Sequence, residues 1–188
     1  MNNFCDDGEL QDLMESMQAG ARDELERADR LLGDYPEDPR LHFLRGSILA
    51  SIGRPIEALP PLKKAVELAP DFAIARFQLG FFQLTSGEAA SALATWGPLA
   101  LLPRDHYLRL FVGGLTHLIR DEFGEAIEQL RAGIAANEEN PPLNNDMRLI
   151  IGQVTALLET AETKDEATDT ASATSFLLDQ FSERRRPN

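Results

Sequence analysis

The side chains that could carry out catalysis are few in this chain, and they are scattered. The three histidines are His42, His106 and His117, and none forms the His-Glu-x-x-His pattern of a metal site. Cys5 is the only cysteine, so the sequence contains no Cys-x-x-Cys ligand pair and no intramolecular disulfide. These residues predict neither a metal centre nor a redox site.

Other patterns of catalytic residues are also missing from the sequence. Glu138-Glu139 and Asp6-Asp7 are expected in a loop and a tail, where both carboxylates of each pair stay ionised and solvated. Gly113-Gly114 lies in a predicted helix and lacks the companion residues of a phosphate-binding loop. No local motif activates a serine or cysteine nucleophile. We therefore expect a protein that is not an enzyme and that has no cofactor.

Residues that recur every 34 positions instead predict apolar packing and binding. Large apolar residues recur in this register, and so do pairs of small residues. The small residues are Gly46 with Ala58, Gly80 with Ala92, and Gly114 with Ala126. Small side chains let two helix backbones approach closely. Three such pairs indicate an internal repeat of two packed helices.

A 34-residue unit with these small positions resembles the tetratricopeptide repeat. The resemblance implies an all-α fold, a right-handed α-α solenoid of helix-turn-helix repeats with capping helices at both ends. Repeats are assigned to residues 37–70, 71–104 and 105–138, after a degenerate unit at 9–36. The predicted repeat helices span 40–52, 55–68, 72–85, 88–101, 105–119 and 123–136.

Prolines modify this pattern. Pro55 fits the first turn of its helix, where its missing N–H costs nothing. Pro60-Pro61 falls in the middle of the same helix and predicts a kink or a short break. Pro98 raises the same problem in the second repeat.

The two ends of the chain carry their own signals. Residues 1–8 are polar and predicted to be loose, and residues 9–33 form either a helical hairpin or one long helix that covers the end of the stack. A capping helix is expected within 139–162, at about 146–161, with Asn145 or Asp146 as its N-cap. Residues 163–175 have the composition of a flexible linker. Residues 176–188 begin with an amphipathic cluster formed by Phe176, Leu177, Leu178 and Phe181.

The resemblance also implies a binding site, because the first helices of such repeats line a concave groove. Carried onto this sequence, the groove positions are mainly apolar, and a phenylalanine column recurs every 34 residues. They are Phe43, Phe77, Phe81, Leu84, Phe111, Leu115 and Leu118. Such a groove suits an amphipathic helix or an extended peptide.

The sequence leaves three interpretations of these apolar side chains open. They are core residues, they are covered by the chain's own Phe176–Phe181 segment, or they form an open groove for an external partner or for self-association. The linker of about 15 residues reaches at most roughly 50 Å when extended, which is enough to return across the repeats. An uncovered apolar patch of this size is unusual for a monomer.

Charge and hydropathy limit the partners and the cellular locations that we expect for the protein. The formal net charge is −13, and residues 1–38 alone carry 12 acidic and 3 basic side chains. Nucleic acids and anionic membranes require basic faces, so neither is an expected partner. The sequence contains no apolar run of about 18 residues and no signal-peptide pattern at its start, so we expect no membrane insertion and a cytoplasmic location.

Together these observations predict a non-catalytic interaction module, an adaptor or chaperone-like protein that binds a protein or peptide partner. The expected ligand is a helical or extended peptide in the apolar groove, with possible self-occlusion by the C-terminal segment. The alternative is a structural subunit that buries the same face permanently in a homo-oligomer or a larger assembly.

Overall fold

The computed structural model describes residues 4–20 and 23–163, with side chains described up to residue 159. These residues form nine α-helices and one short 3₁₀ helix, and none of them is in a β-strand. The α-helices are α1 (Asp7–Ala19), α2 (Glu24–Asp34), α3 (Pro39–Ser51), α4 (Pro55–Leu68), α5 (Ala73–Thr85), α6 (Ala89–Trp96), α7 (Tyr107–Ile119), α8 (Phe123–Ala136) and α9 (Pro141–Thr163). The 3₁₀ helix, Gly97–Leu101, follows α6 directly. The predicted all-α class is confirmed.

The described helices belong to two compact units. The first unit ends at Leu79 and the second begins at Gly80, so α5 contributes residues to both. Within the first unit α3 packs closely against α4, and within the second α7 packs closely against α8. Each of these pairs is a helix-turn-helix hairpin of the predicted kind.

The N-terminal region consists of two helices rather than one. Asp6 caps α1 by accepting a hydrogen bond from the Gly8 backbone N–H at 2.8 Å. Gly20 ends α1 in the left-handed conformation, with φ of 66°, which glycine adopts without steric cost. Apolar side chains of α1 and α2 then join those of α3 in one buried cluster, which includes Leu13, Ala28 and Leu41.

A buried carboxylate fixes the start of the chain to α3. Asp38 has no exposed surface, and it caps α3 by accepting a hydrogen bond from the Arg40 N–H at 2.9 Å. Its other oxygen accepts from the Cys5 N–H at 2.9 Å and from the Arg40 guanidinium at 2.8 Å. The same guanidinium pairs with Asp7 at 2.7 Å. The segment before α1 is thereby bound to α3 by ionic hydrogen bonds.

The turn inside each repeat uses the same backbone conformation. Gly53, Gly87 and Asp121 all have positive φ, at 73°, 82° and 58° respectively. These three residues are also 34 positions apart. A left-handed residue closes the end of the first helix and turns the chain into the second. The repeat that the sequence shows in its small residues is therefore also present in its turns.

Close helix contacts occur at the predicted small residues. A Cβ atom added to Gly46 would lie 2.7 Å from Leu62 Cγ, and one added to Gly114 would lie 2.7 Å from Leu130 Cγ. At Gly80 it would lie 2.6 Å from Trp96 Cδ1. In each hairpin, then, a glycine of the first helix receives a large side chain from the second.

The internal prolines affect α4 of the first repeat and α6 of the second repeat differently. Helix α4 runs through Pro60 and Pro61 without interruption, so the short break predicted there does not occur. Ile56 and Glu57, the residues whose carbonyls lose their N–H partners, are both exposed, so water can solvate those oxygens. In the second repeat α6 ends at Trp96, and the chain continues as 3₁₀ helix around Pro98.

Helix α9 begins at Pro141, five residues before the predicted start at 146. The prolines lie in the first turn, where no backbone N–H is required. Three asparagines hold this junction: the Asn137 amide donates to Asn144 Oδ1 at 2.8 Å and to the Asn140 carbonyl at 2.7 Å, and Asn137 Oδ1 accepts from the Asn140 N–H. The asparagine-rich stretch that suggested a loop is thus a polar joint between α8 and α9.

Candidate protein-binding surface

Two of the predicted groove residues belong to the first unit. Phe43 of α3 is partly buried, packs against the cluster formed with α1 and α2, and contacts Phe72 edge to face at 5.3 Å between ring centroids. Phe77 of α5 is completely buried. Neither ring is fully open to solvent.

The other five predicted groove residues belong to the second unit, and all are buried. Phe81, Leu84, Phe111, Leu115 and Leu118 each expose at most 4% of their surface. In this conformation, side chains with so little exposed surface offer almost no area for a partner to cover.

Contacts within the second unit explain part of this burial. A Cβ atom added to Gly133 of α8 would lie 2.6 Å from Phe111 Cε1, so the Phe111 ring lies against the second helix of its own hairpin. The Tyr107 ring meets Phe111 edge to face at 5.9 Å. Burial raises the pKa of Tyr107 to about 12, with a further contribution from the nearby Glu139 carboxylate. Phe111 is therefore packed inside its hairpin.

Of the three interpretations left open by the sequence, burial agrees with two. Core packing and coverage by another segment of the chain both predict inaccessible side chains, whereas an open groove predicts exposed ones. The segment proposed to cover them, with Phe176, Leu177, Leu178 and Phe181, lies outside the described residues, as does the predicted linker.

The histidines and the cysteine of the described chain form local contacts and belong to no metal-ligand cluster. Over residues 4–20 and 23–163, no three His, Cys, Asp or Glu side chains are placed to hold a metal ion. His117 Nδ1 lies 2.5 Å from Glu122 Oε2, and His42 Nε2 lies 2.8 Å from the Pro36 carbonyl oxygen. The Cys5 thiol is buried, and desolvation together with Glu9 raises its pKa to about 11, which disfavours the reactive thiolate.

The structure also has a concave feature that the sequence reasoning missed. A cleft of about 560 Å³ lies in the second unit between α6, the 3₁₀ helix, α7 and α8, and Arg104 and Arg109 are among its lining residues. Two signals could have indicated it. Gly113 stands where the other repeats have Arg45 and Leu79, and Pro98 interrupts the second repeat.

No helix within the described ranges combines the length and the hydropathy that crossing a bilayer requires.

Comparison with known proteins supports the repeat assignment. The tetratricopeptide repeat family matches residues 25–71, which contain nearly all of α2 and the α3–α4 hairpin. The solved structure of the "MamA RS-1 ArsTM double mutant" has the same fold, with a TM-score of 0.56 over 94% of this chain and 93% of that one, at 16% sequence identity. No curated protein matches the sequence.

The fold and these comparisons define an all-α protein of the helical-repeat class. The predicted resemblance to the tetratricopeptide repeat is confirmed by the match at residues 25–71 and by the shared fold. The family match supports a protein–protein interaction module.

Proposed function

We propose that this chain is a non-catalytic, cytoplasmic interaction module that binds an amphipathic helical or extended peptide. The binding face consists of the apolar residues that the first helices place in 34-residue register. In the second unit these are Phe81 and Leu84 of α5 with Phe111, Leu115 and Leu118 of α7. Apolar side chains at helical spacing are suited to the apolar face of a partner helix.

The observation that carries the proposal is the burial of these five side chains, each at most 4% exposed. Five large apolar groups on two first helices would not be stable in water as an open patch. We propose that the C-terminal segment containing Phe176, Leu177, Leu178 and Phe181 covers part of this face until a partner displaces it. Phe111 contributes only the part of its ring that Gly133 does not cover.

Such a built-in competitor lowers the apparent affinity for any partner by the fraction of molecules in which the face is open. A fluorescein-labelled peptide of residues 172–188 is therefore a suitable probe, because it carries the same apolar cluster in trans. The full-length double variant Phe176→Ser, Phe181→Ser should bind this peptide about tenfold more tightly than the wild-type chain does, as measured by fluorescence anisotropy.

The matched control is the double variant Asp179→Ser, Gln180→Ser, which changes the same segment but keeps its apolar residues. It should bind the peptide as weakly as the wild type. Equal affinity of all three proteins for the peptide would refute self-occlusion but would not contradict the proposed binding face. Absence of saturable binding by the Phe176→Ser, Phe181→Ser variant would refute the binding face itself.

A further inference from the structure

The cleft of about 560 Å³ in the second unit has the size of a ligand site, since such pockets usually measure about 300–1,000 Å³. Its walls are mainly apolar. Leu93 of α6 is 39% exposed at the cleft, whereas Leu99 of the 3₁₀ helix is 3% exposed. Leu110 and Val112 of α7 line the opposite side.

Small residues line two sides of this space. Gly113 has no side chain where the first two repeats carry Arg45 and Leu79, and the Gln129 carboxamide occupies the position that a Cβ would take there. On the other wall, the change from α-helix to 3₁₀ helix at Gly97 places Gly97 and Ala100 at the cleft, and both are exposed. The cleft is therefore open to solvent beside small residues.

The charge of the cleft is opposite to that of the protein. The chain carries −13 overall, yet the described residues lining the cleft include Arg104 and Arg109 and no acidic side chain. Arg109 donates to the Leu102 carbonyl at 2.6 Å, which leaves its guanidinium further N–H groups. In the described part of the chain neither arginine forms an ion pair with a carboxylate.

We propose that this cleft binds the C-terminal residue of a protein partner, with the terminal carboxylate on Arg104 and Arg109 and an apolar terminal side chain against Leu93, Leu99 and Leu110. A guanidinium forms two parallel hydrogen bonds with a carboxylate, which sets the position of the ligand as well as its charge. This inference rests on the proposed function as a protein-binding module. It does not depend on the apolar face of the first helices.

The composition of the cleft selects this ligand over other anions. Inorganic phosphate would pair with the arginines but leave the leucine walls in contact with water. A wholly apolar side chain would fill the walls but leave two guanidinium groups without an anion. The end of a peptide supplies one carboxylate and one apolar group a few ångströms apart, and the exposed residues Gly97 and Ala100 leave room for the rest of the peptide to exit.

The test uses the full chain labelled with ¹⁵N and four probes: acetyl-Gly-Ser-Gly-Ser-Phe as free acid and as amide, the leucine-terminated free acid, and N-acetyl-phenylalanine. We expect a free-acid peptide to cause saturable shifts of the Gly97, Val112 and Gly113 amide signals. The C-terminal amide should bind about tenfold more weakly, because it cannot form the charged pair.

Arg104→Gln tests the charge without disturbing the fold, since Arg104 is exposed and donates no hydrogen bond within the described chain. This substitution should weaken binding of the free-acid peptide about tenfold and leave binding of the C-terminal amide unchanged. Arg131→Gln is the matched control, because Arg131 is an exposed arginine of α8 that does not line the cleft.

Three results would overturn the proposal. They are the absence of saturable shifts with either free-acid peptide, equal affinity for acid and amide, and N-acetyl-phenylalanine binding as tightly as the phenylalanine-terminated peptide. The last result would reassign the cleft to small carboxylic acids. Because residues 172–188 are not used as a probe here, this test can fail while the proposed function stands, and the reverse also holds.

Discussion

Asp38 is a carboxylate with no exposed surface, and its hydrogen bonds explain how it is tolerated. Burial alone would raise the pKa of its carboxyl group, but hydrogen bonds from the Arg40 side chain, the Arg40 N–H and the Cys5 N–H outweigh it and lower the pKa. The same contacts with Asp38 raise the pKa of Arg40, against the opposing effect of its own desolvation. A buried charge with this many donors is costly to remove because its partners are left unpaired.

We predict that Asp38→Asn lowers the free energy of unfolding by about 1–3 kcal/mol, since the amide can still cap α3 but leaves the Arg40 guanidinium without its buried anion. The matched control is Asp29→Asn. Asp29 also pairs with an arginine, Arg45 at 2.6 Å, but it is about half exposed, so the expected loss is below about 0.5 kcal/mol. Urea denaturation followed by circular dichroism measures both, and equal losses would contradict the assigned role of Asp38.

The same carboxylate predicts a dependence of stability on pH. Its pKa is lowered in the folded state, so its contribution is present above the unfolded value of about 3.9 and is lost as pH falls through the folded pKa. Between pH 5 and pH 2 the wild type should therefore lose more unfolding free energy than Asp38→Asn does. Parallel curves for the two proteins would show that Asp38 is not the group responsible.

The burial of Asp38 could not be read from the sequence. There it is one of 12 acidic residues among the first 38, and a charged residue in such a stretch is usually solvated. What buries it is a contact with the Cys5 backbone, 33 positions away, and with a guanidinium that also reaches Asp7. Local patterns contain no information about contacts at this separation.

The hairpins depend on glycines at which no side chain fits. Gly80 is the sharpest case, because an added methyl group would overlap the indole ring of Trp96, which is buried and rigid. Gly46 and Gly114 face leucine side chains that can move more easily. Of these three glycines, Gly80 therefore faces the neighbour that is least able to yield to an added side chain.

We predict that Gly80→Ala destabilises the protein by about 1–3 kcal/mol through overpacking against Trp96. Gly152→Ala is the matched control, because Gly152 lies in α9 with nothing within 4 Å of an added Cβ. That change should stabilise the helix by about 0.5–1 kcal/mol, the ordinary difference between glycine and alanine. Thermal unfolding followed by circular dichroism gives the sign of both effects, and a stabilised Gly80→Ala variant would contradict the packing described above.

Most helices were predictable because each has local signals at its ends. Pro39 and Pro55 begin their helices, and Gly53 and Gly87 supply the left-handed residue at the turns. The errors arose where a local signal met a tertiary contact. The joint formed by Asn137 and Asn144 turns an apparent loop into the start of α9. The Asn137 side-chain amide donates to Asn144 Oδ1, and the Asn144 amide donates to the Asn137 backbone carbonyl.

For the chain as a whole, the 34-residue register predicted the class of fold, and it did so because each repeat must bury the same positions. The register could not show which apolar side chains remain accessible. Phe43, Phe77 and Phe111 repeat in sequence, yet Phe43 is only partly buried whereas Phe77 and Phe111 are fully buried. Periodicity places a residue on a helix face but does not show what covers that face.

The chain of 188 residues is predicted to be a monomer of 20.8 kDa whose mass is independent of concentration. Its net charge of −13 opposes self-association, and the apolar residues proposed as a binding face are already buried. Sedimentation equilibrium between micromolar and 100-fold higher concentration measures the mass. A dimer that persists at the lowest concentration would instead support a structural subunit of a homo-oligomer.

Trp96 is the only tryptophan in the sequence, and it is 1% exposed and packs against Gly80. The protein thus contains a single tryptophan fluorophore, which lies inside its second repeat. Its emission reports the packing of α5 against α6 without an added label, and separately from the N-terminal helices. A loss of repeat packing in the second unit would therefore be visible as a red shift, even where the total helix content hardly changes.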